Sequence, residues 1–374
     1  MDAVIYADHA ATTRLSDKAL QAMLPWLQEE YGNPSQPYSF SRKPKMAVAE
    51  ARETIASCIG AQPEEIFFTS GGTESDNWAI KGTALSYGRE GTLLVSAFEH
   101  HAVLRACEAI AADGWPITYI NPTEDGIIMP ETLSQLMTDD TKIVSVMMAN
   151  NEVGTIQPIQ HLAVLAHEHN AIFHTDAVQA VGHIPVNVKK LDIDLLSASA
   201  HKFNGPKGVG FLFIRKGTKM ISHESGGGQE HGMRAGTENV AGIVGMATAL
   251  KEHCSHIHEE QEHLNTLTDT LQQLMQDVPH IVHGNRQERL PGILSIAFPG
   301  FEGETLLHRL DLMKIEVSTG SACDSTRTVI SHVLRSMQIP EEIARGTIRI
   351  SLGNENTLED VIAISDALHR VLKK

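Results

Sequence analysis

The chain has 374 residues, of which 42% are hydrophobic and 20% are charged, as is ordinary for a folded globular protein large enough for two domains. Its formal net charge of −16 repels nucleic-acid phosphates and anionic lipid, so we expect neither as a direct partner. The four cysteines show no paired spacing, and the first residues show no basic region followed by an apolar run. We therefore expect free thiols and a cytoplasmic protein.

Short apolar runs alternate with helical patterns along the first part of the chain. Continuous apolar strands separated by helices predict an α/β fold with a mainly parallel seven-stranded sheet covered on both faces. In such sheets, ligands bind beyond the carboxyl ends of the strands. The predicted strands are residues 65–70, 92–97, 117–121, 142–149, 171–175, 194–200 and 209–214, and the clearest helices between them are residues 75–87, 101–112 and 162–169.

The pattern changes after a long helical stretch at residues 239–275. Alternating strands and helices after it predict a smaller α+β unit. We expect a large domain at residues 15–257 and a small domain made of residues 1–14 and 258–374. The predicted elements of the smaller unit are strands at residues 293–298 and 347–352 and helices at residues 304–312 and 358–372.

Two ionisable side chains follow buried strands. Lys202 comes directly after the run at residues 194–200, where burial favours the neutral amine that a Schiff-base lysine needs. Asp176 ends the run at residues 171–175 and needs a cationic partner there, such as a protonated pyridine nitrogen. Two plainer interpretations stay open: Lys202 as a structural lysine at a loop start, and Asp176 as a helix N-cap.

Residues 69–75, Thr-Ser-Gly-Gly-Thr-Glu-Ser, join a strand to a helix. Backbone N–H groups at a helix start bind anions, and the helix dipole assists them. The glycine spacing is not that of a dinucleotide loop, and no lysine follows as in a Walker loop. The stretch predicts a phosphate site that includes Gly72 and Thr73, with a tight turn capped by threonine as the alternative.

Five ordered motifs extend this pattern over nearly the whole chain. They are Asn-Asn-Glu-Val-Gly at 150–154, His-Thr-Asp-Ala-Val-Gln at 174–179, Ser-Ala-His-Lys at 199–202, the glycine-rich stretch 226–237, and Ser-Thr-Gly-Ser-Ala-Cys at 318–323. With these motifs the sequence resembles the cysteine desulfurases, fold-type I pyridoxal-phosphate enzymes of the class V aminotransferase group. The resemblance implies that fold, that cofactor and a homodimer with shared active sites.

The resemblance also implies a cofactor role for individual residues. Lys202 would form the Schiff base and move protons, Asp176 would hold the pyridine nitrogen protonated, and His100 would stack on the ring and transfer protons. Gln179 and Asn151 would lie at the phenolic oxygen. Phosphate contacts would come from Gly72, Thr73, Ser199, His201 and, from the other subunit, Thr237.

The substrate and the nucleophile follow from the same resemblance. Arg349 would bind the carboxylate of L-cysteine, with Asn33 and Asn151 beside it. Cys323 would take the substrate sulfur as a persulfide, releasing L-alanine, and hand it to a protein acceptor for iron–sulfur cluster assembly or for tRNA or cofactor thiolation. Arg327 nearby would favour the thiolate of Cys323. No metal is expected.

Some positions depart from the family pattern. His231 stands where arginine is usual and Tyr38 where histidine is common, while Asp324 and Ile330 change the surroundings of Cys323. These departures leave the sulfur acceptor open. A selenocysteine lyase, a transaminase and a non-catalytic sulfur-transfer scaffold remain alternatives. Cys323 argues against a transaminase, and the intact set of cofactor residues argues against a scaffold.

Overall fold

The computed structural model describes residues 4–88, 90–320 and 330–373, so Cys323, Asp324 and Arg327 lie outside the described residues. Within these ranges the strands are β1 (Ile5–Tyr6), β2 (Ile66–Thr69), β3 (Thr92–Ser96), β4 (Ile117–Ile120), β5 (Thr141–Ser145), β6 (Ile172–Asp176), β7 (Leu195–Ser199), β8 (Gly210–Ile214), β9 (Ile281–His283), β10 (Ile293–Ala297), β11 (Ile315–Glu316) and β12 (Thr347–Ser351). The helices are α1 (Asp17–Gln28), α2 (Arg42–Ile59), α3 (Gly72–Ser86), α4 (His101–Ala112), α5 (Pro130–Leu136), α6 (Ile159–Glu168), α7 (Val240–Leu274), α8 (Gly303–Asp311), α9 (His332–Ser336), α10 (Glu341–Ala344) and α11 (Leu358–Val371).

Each predicted strand of the first part of the chain is present in one sheet. Its strand order is β2-β8-β7-β6-β5-β3-β4, and β8 alone runs antiparallel to its neighbours among the described strands. Strands β6, β7 and β8 are buried along their whole length, because the sheet is covered on both faces. The prediction of a mainly parallel seven-stranded sheet is confirmed.

The chain direction brings several loops to one edge of this sheet. Strands β6 and β7 are parallel, and β2 runs the same way as β7 because both are antiparallel to β8. Their carboxyl ends therefore meet at one edge. Asp176 ends β6, Lys202 follows β7 in a short 3₁₀ turn, and α3 starts at Gly72 after β2.

A second hydrophobic core lies under a smaller antiparallel sheet of order β12-β10-β9, beside the parallel pair β1-β11. The 35-residue helix α7 belongs to both cores: Met246 and Leu250 pack in the large one, and Leu264 and Leu271 in the small one. The domain division at residue 257 stays a prediction, and α7 runs across that position without a break. No helix in the described ranges is both long and apolar enough to cross a membrane.

Candidate active site

A cavity of about 350 Å³ opens at the strand-end edge of the large sheet, within the usual size of small-molecule sites. Residues from five of the loops and motifs named above meet in its wall. The structure brings together Gly72, Thr73, His100, Asn151, Asp176, Gln179, Ser199, His201, Lys202 and Arg349. Of the other described candidates, exposed Thr237 and half-buried Asn33 lie outside this wall, and Asn33 Oδ1 accepts a bond from Ser35 N at 2.9 Å.

Lys202 lies against the N-terminal segment of the chain. Its Nζ donates to the carbonyl oxygens of Ala10 and Ala11 at 2.6 and 2.8 Å. Gln179 Nε2 donates to the same Ala10 oxygen at 2.9 Å. Ala10 N in turn donates to Ser351 Oγ at 3.0 Å, so the segment is held from both sheets. The amine of Lys202 therefore lies at the cavity wall, bonded to a backbone segment that other hydrogen bonds hold in place.

Asp176 is only 4% exposed, and its Oδ1 accepts a bond from Val178 N at 2.9 Å. Burial raises the pKa of Asp176 to about 6, although the Val178 bond and the charge of Lys202 pull it down. Residues 178–180 form a turn, so the helix N-cap interpretation is wrong. A buried carboxylate with so few donors fits a cationic partner such as a protonated ring nitrogen.

Two more buried acids, Asp76 and Glu99, lie near Asp176. Burial, and then the charge of Asp176, raises the pKa of Asp76, while a hydrogen bond from Ser197 opposes the rise. Burial raises the pKa of Glu99 to about 8. Asp76 Oδ1 and Glu99 Oε2 are buried without a hydrogen-bond partner in the described part of the chain. Asp76 and Asp176 line the cavity, where a bound cation would stabilise their ionised forms.

Asp76, His100 and Asp176 present ligand atoms within 4.8 Å of one another. No other set of three or more His, Cys, Asp or Glu residues in the described ranges does so. Nitrogen and oxygen ligands of this kind can hold a transition metal. The same three residues line the cavity that the cofactor assignment uses. The expectation of no metal therefore stays a prediction.

His100 precedes α4 and caps it. Its Nδ1 accepts a bond from Ala102 N at 3.1 Å, which leaves Nε2 to carry the proton of the neutral ring. Burial, assisted by the charges of Lys202 and His101, lowers the pKa of His100 to about 4. The imidazole is therefore neutral near pH 7.

The start of α3 is shaped for close approach. Gly71 has a φ of 147°, and a Cβ on Gly72 would lie 2.7 Å from Val178 Cγ2. Thr73 follows in the first turn of this 15-residue helix, and Ser199 lines the cavity beside it. The N–H groups of such a helix start carry a partial positive charge. The arrangement fits a phosphate group.

The glycine-rich stretch 226–237 is joined to this helix start. Arg234 Nε lies 2.9 Å from Glu74 Oε1, and Ser70 N donates to Glu74 Oε2 at 2.7 Å. The ion pair connects the stretch that carries Thr237 with the first turn of α3. His231, the departure within the stretch, has a φ of 57°.

Arg349 lies in β12 and is 6% exposed. Its Nη1 donates to Asn151 O at 2.9 Å, and its Nη2 pairs with Asp8 Oδ1 at 2.5 Å. Its Nε is buried without a hydrogen-bond partner among the described residues. A guanidinium with an unused donor beside the cavity suits a carboxylate ligand.

The fold and this cavity define a class of protein. The chain matches the family model described as aminotransferase class-V over residues 5–364. It is 48% identical over 375 residues to the cysteine desulfurase IscS of Dictyoglomus turgidum, covering 99% of this chain and 95% of that protein. The chain belongs to the cysteine desulfurases, as its sequence motifs indicated.

Two solved structures agree with this assignment. A NifS-like protein superposes with a TM-score of 0.94 at 38% identity, over 99% of each chain. The structure described as SspA in complex with cysteine superposes with a TM-score of 0.84 at 33% identity, over 94% of this chain and 100% of that one. The expected fold class and cysteine desulfurase activity are confirmed, L-cysteine is the substrate, and enzymes of this family generally depend on pyridoxal phosphate.

Sequence reasoning missed several residues of the cavity and its surroundings. Asp76 lies on the buried stripe of α3 with Ala79, Ile80 and Thr83, so an acid within an apolar stripe was the available signal. Glu152 belongs to the motif at 150–154, and its neighbours in the sequence give no sign of the contacts that it makes. No local signal connects Asp8 to Arg349, because the two residues are 341 positions apart.

Proposed function

We propose that this cysteine desulfurase binds pyridoxal phosphate in the cavity beside Lys202. Lys202 would attach the cofactor, Asp176 would hold the ring nitrogen protonated, and Gly72 and Thr73 would bind the phosphate with Ser199 and His201. Support comes from the cavity volume, the buried acids that favour a cation, and the glycine that lets backbone approach the ligand. The unused Nε of Arg349 supports its role with the substrate carboxylate.

When bound, pyridoxal phosphate withdraws electrons from the bonds around the α-carbon of an amino acid attached to it. The chain supplies the rest. Lys202 and His100 take and return protons at the substrate carbons, and neutral His100 can do so near pH 7. Arg349 holds the carboxylate, with Asn151 and Asn33 as the further substrate residues, and Gln179 and Asn151 donate to the phenolic oxygen.

Cys323 would then act on the substrate sulfur. Its thiolate attacks that sulfur, the carbon–sulfur bond breaks, and the electron pair stays on carbon, which takes up a proton. L-cysteine and the Cys323 thiol thus become L-alanine and a Cys323 persulfide. One observation carries this proposal: Gly320, three residues before Cys323, lines the same cavity as Lys202.

The assembly and the acceptor belong to the same proposal. The protein would be a homodimer in which exposed Thr237 completes the phosphate site of the second copy, and the Arg234–Glu74 ion pair supports a link between that stretch and the site. The persulfide would pass to a protein acceptor. Free thiols at Cys58, Cys107 and Cys254 support a reducing, cytoplasmic setting.

Cys323→Ser tests the proposal. Because a hydroxyl is a far weaker nucleophile toward sulfur, the variant should bind the cofactor normally yet lose at least about 10²-fold of its alanine release. Mass spectrometry after a pulse of cysteine should find one extra sulfur on the wild-type peptide with Cys323 and none on the variant. Cys58→Ser is the matched control and should release alanine at the wild-type rate.

The same assay separates the alternatives. If Cys323→Ser releases alanine as fast as the wild type, the proposed role of Cys323 is wrong. Activity with a keto-acid acceptor would indicate a transaminase, and release restricted to selenocysteine would indicate a selenocysteine lyase. A colourless protein that does not take up pyridoxal phosphate would contradict the cofactor assignment.

A further inference from the structure

Glu152 is a buried acid that the proposed chemistry does not use. It lies after β5, in the stretch 150–154, and the residue is only 4% exposed. Its backbone N donates to Asn150 Oδ1 at 2.8 Å, which fixes the turn. Burial raises the pKa of Glu152 to about 7, although Ser331 and Arg349 lower it. Burying such an acid costs folding free energy, which hydrogen bonds from the surrounding structure must offset.

One oxygen of Glu152 contacts both sides of the segment that carries Cys323. We name residues 318–320 the leading stem and residues 330–332 the trailing stem. Ser331 Oγ of the trailing stem donates to Glu152 Oε2. In the leading stem, a Cβ added to Gly320 would lie 2.0 Å from the same Oε2, so the glycine backbone packs directly on this oxygen.

Each stem has further contacts with the rest of the chain. Ser318 N donates to Arg349 O at 3.0 Å, which joins the leading stem to β12. Ile330 packs against the large core, and His332 Nε2 donates to Glu99 O at 2.9 Å. Ser331 Oγ also accepts a bond from Val333 N at 3.1 Å and caps α9. Glu152 is thus a side chain that touches both stems.

We propose that Glu152 is a positioning residue that sets the separation of the two stems and thereby places Cys323 at the substrate sulfur. The inference rests on the proposed role of Cys323. The substitution Glu152→Gln would keep an oxygen at the same reach without the charge, whereas Glu152→Ala would remove the contact to both stems. Position rather than charge is therefore the property under test.

Glu152→Ala should lower kcat and the rate of persulfide formation on Cys323 by roughly 10- to 100-fold, because small misplacements of a reacting group have effects of this size. KM and the cysteine concentration that half-saturates the change in cofactor absorbance should stay within about twofold, since cofactor and substrate contacts remain. Glu152→Gln should restore most of the rate. Rapid-quench mass spectrometry of the Cys323 peptide measures the step directly.

Ser331→Ala removes the donor of the hydrogen bond to Glu152. It should slow persulfide formation in the same way, and the double variant Glu152→Ala/Ser331→Ala should be no slower than the slower single variant, because both changes remove one interaction. Ser336→Ala is the matched control: its Oγ donates to Val333 O on α9, and it should form persulfide at the wild-type rate. If Glu152→Ala fails to fold, Ser331→Ala carries the test.

Three results would overturn the proposal. They are an unchanged kcat in Glu152→Ala and Ser331→Ala, a loss of cofactor or cysteine binding that accounts for the lower rate, and effects that multiply in the double variant. Failure of the proposed function looks different: the extra sulfur is then missing from Cys323 in the wild type. Failure of the present proposal leaves the extra sulfur on Cys323 of the wild type.

Discussion

The proposed cofactor wall (Gly72, Thr73, Asp176, Ser199 and Lys202) and the leading stem line one cavity. The wall and the two stems are nevertheless built differently. Asp176 and Ser199 end neighbouring strands of the large sheet, where a ladder of backbone bonds and a large core fix their positions. The stems are held by a few separate contacts instead of a ladder. The backbone of Ser318 pairs with that of Arg349, the Ser331 hydroxyl bonds to the Glu152 carboxylate, and the His332 ring bonds to the Glu99 carbonyl oxygen. Under the proposed function, cofactor binding and sulfur transfer would have separate structural supports, so that single substitutions should damage one without the other.

Lys202→Ala should give the largest effect on the cofactor wall. Loss of the attached amine and of its proton transfers should lower alanine release by at least about 10³-fold. Borohydride treatment should join pyridoxal phosphate to Lys202 in the wild type, adding its mass to that peptide, and should label nothing in the variant. The exposed Lys207→Ala is the control and should be labelled normally. Labelling of a different lysine in the wild type would contradict the assignment.

Gly72→Ala should act on the same wall with a smaller effect. The added Cβ would lie 2.7 Å from Val178 Cγ2, so the helix start or the Val178 side chain must shift. We expect roughly a 10-fold weaker affinity for pyridoxal phosphate, measured by titrating the apoenzyme. Val178→Ala removes the clashing methyl group, so the double variant should recover much of the affinity. No recovery would mean that the glycine is needed for a reason other than space.

Glu99→Gln should give the smallest effect and tests the junction of the two regions, since the Glu99 backbone also holds His332. Because burial raises the pKa of Glu99 to about 8, the folded protein keeps a proton that the unfolded chain releases above about pH 4.5. The stability that this bound proton gives the folded protein is therefore lost as the pH rises from about 4.5 to about 8. The Tm of the variant, relative to the wild type, should rise by roughly 3–6 °C between pH 5 and pH 8.

The control for this last experiment is Glu53→Gln, an exposed acid on α2. Its Tm difference from the wild type should stay flat over the same pH range. If the Glu99→Gln difference is also flat, Glu99 is ionised in the folded protein and the buried acids are compensated by a cation that the described contacts do not contain.

The cofactor wall could be predicted from the sequence because its signals are local. Apolar runs that stop at Asp176 or before Lys202 give both the strand and the side chain at its end, and parallel strands bring such ends together. The contacts of Lys202 and Gln179 with Ala10 could not be predicted in this way. They join residues 192 and 169 positions apart, and small apolar Ala10 gives no sign that its carbonyl is the acceptor.

The stems show the same limit more clearly. Ser331 and Glu152 are separated by 179 positions, and each has an ordinary local explanation, as a helix cap and as a turn residue. The contact of Gly320 with the Glu152 oxygen depends on the absence of a side chain, which composition cannot reveal. Only the folded arrangement makes these residues one group.

The N-terminal segment has a consequence for the biosynthesis of the protein. Ala10 bonds to Ser351, and Asp8 pairs with Arg349, across almost the full length of the chain. During synthesis, Lys202 and the carbonyl that receives its amine emerge from the ribosome long before β12 exists to hold that carbonyl. Closing so long a loop is a slow step that follows local folding. We therefore expect the nascent chain to complete the large sheet first and to acquire a finished active site only after β12 has been synthesised.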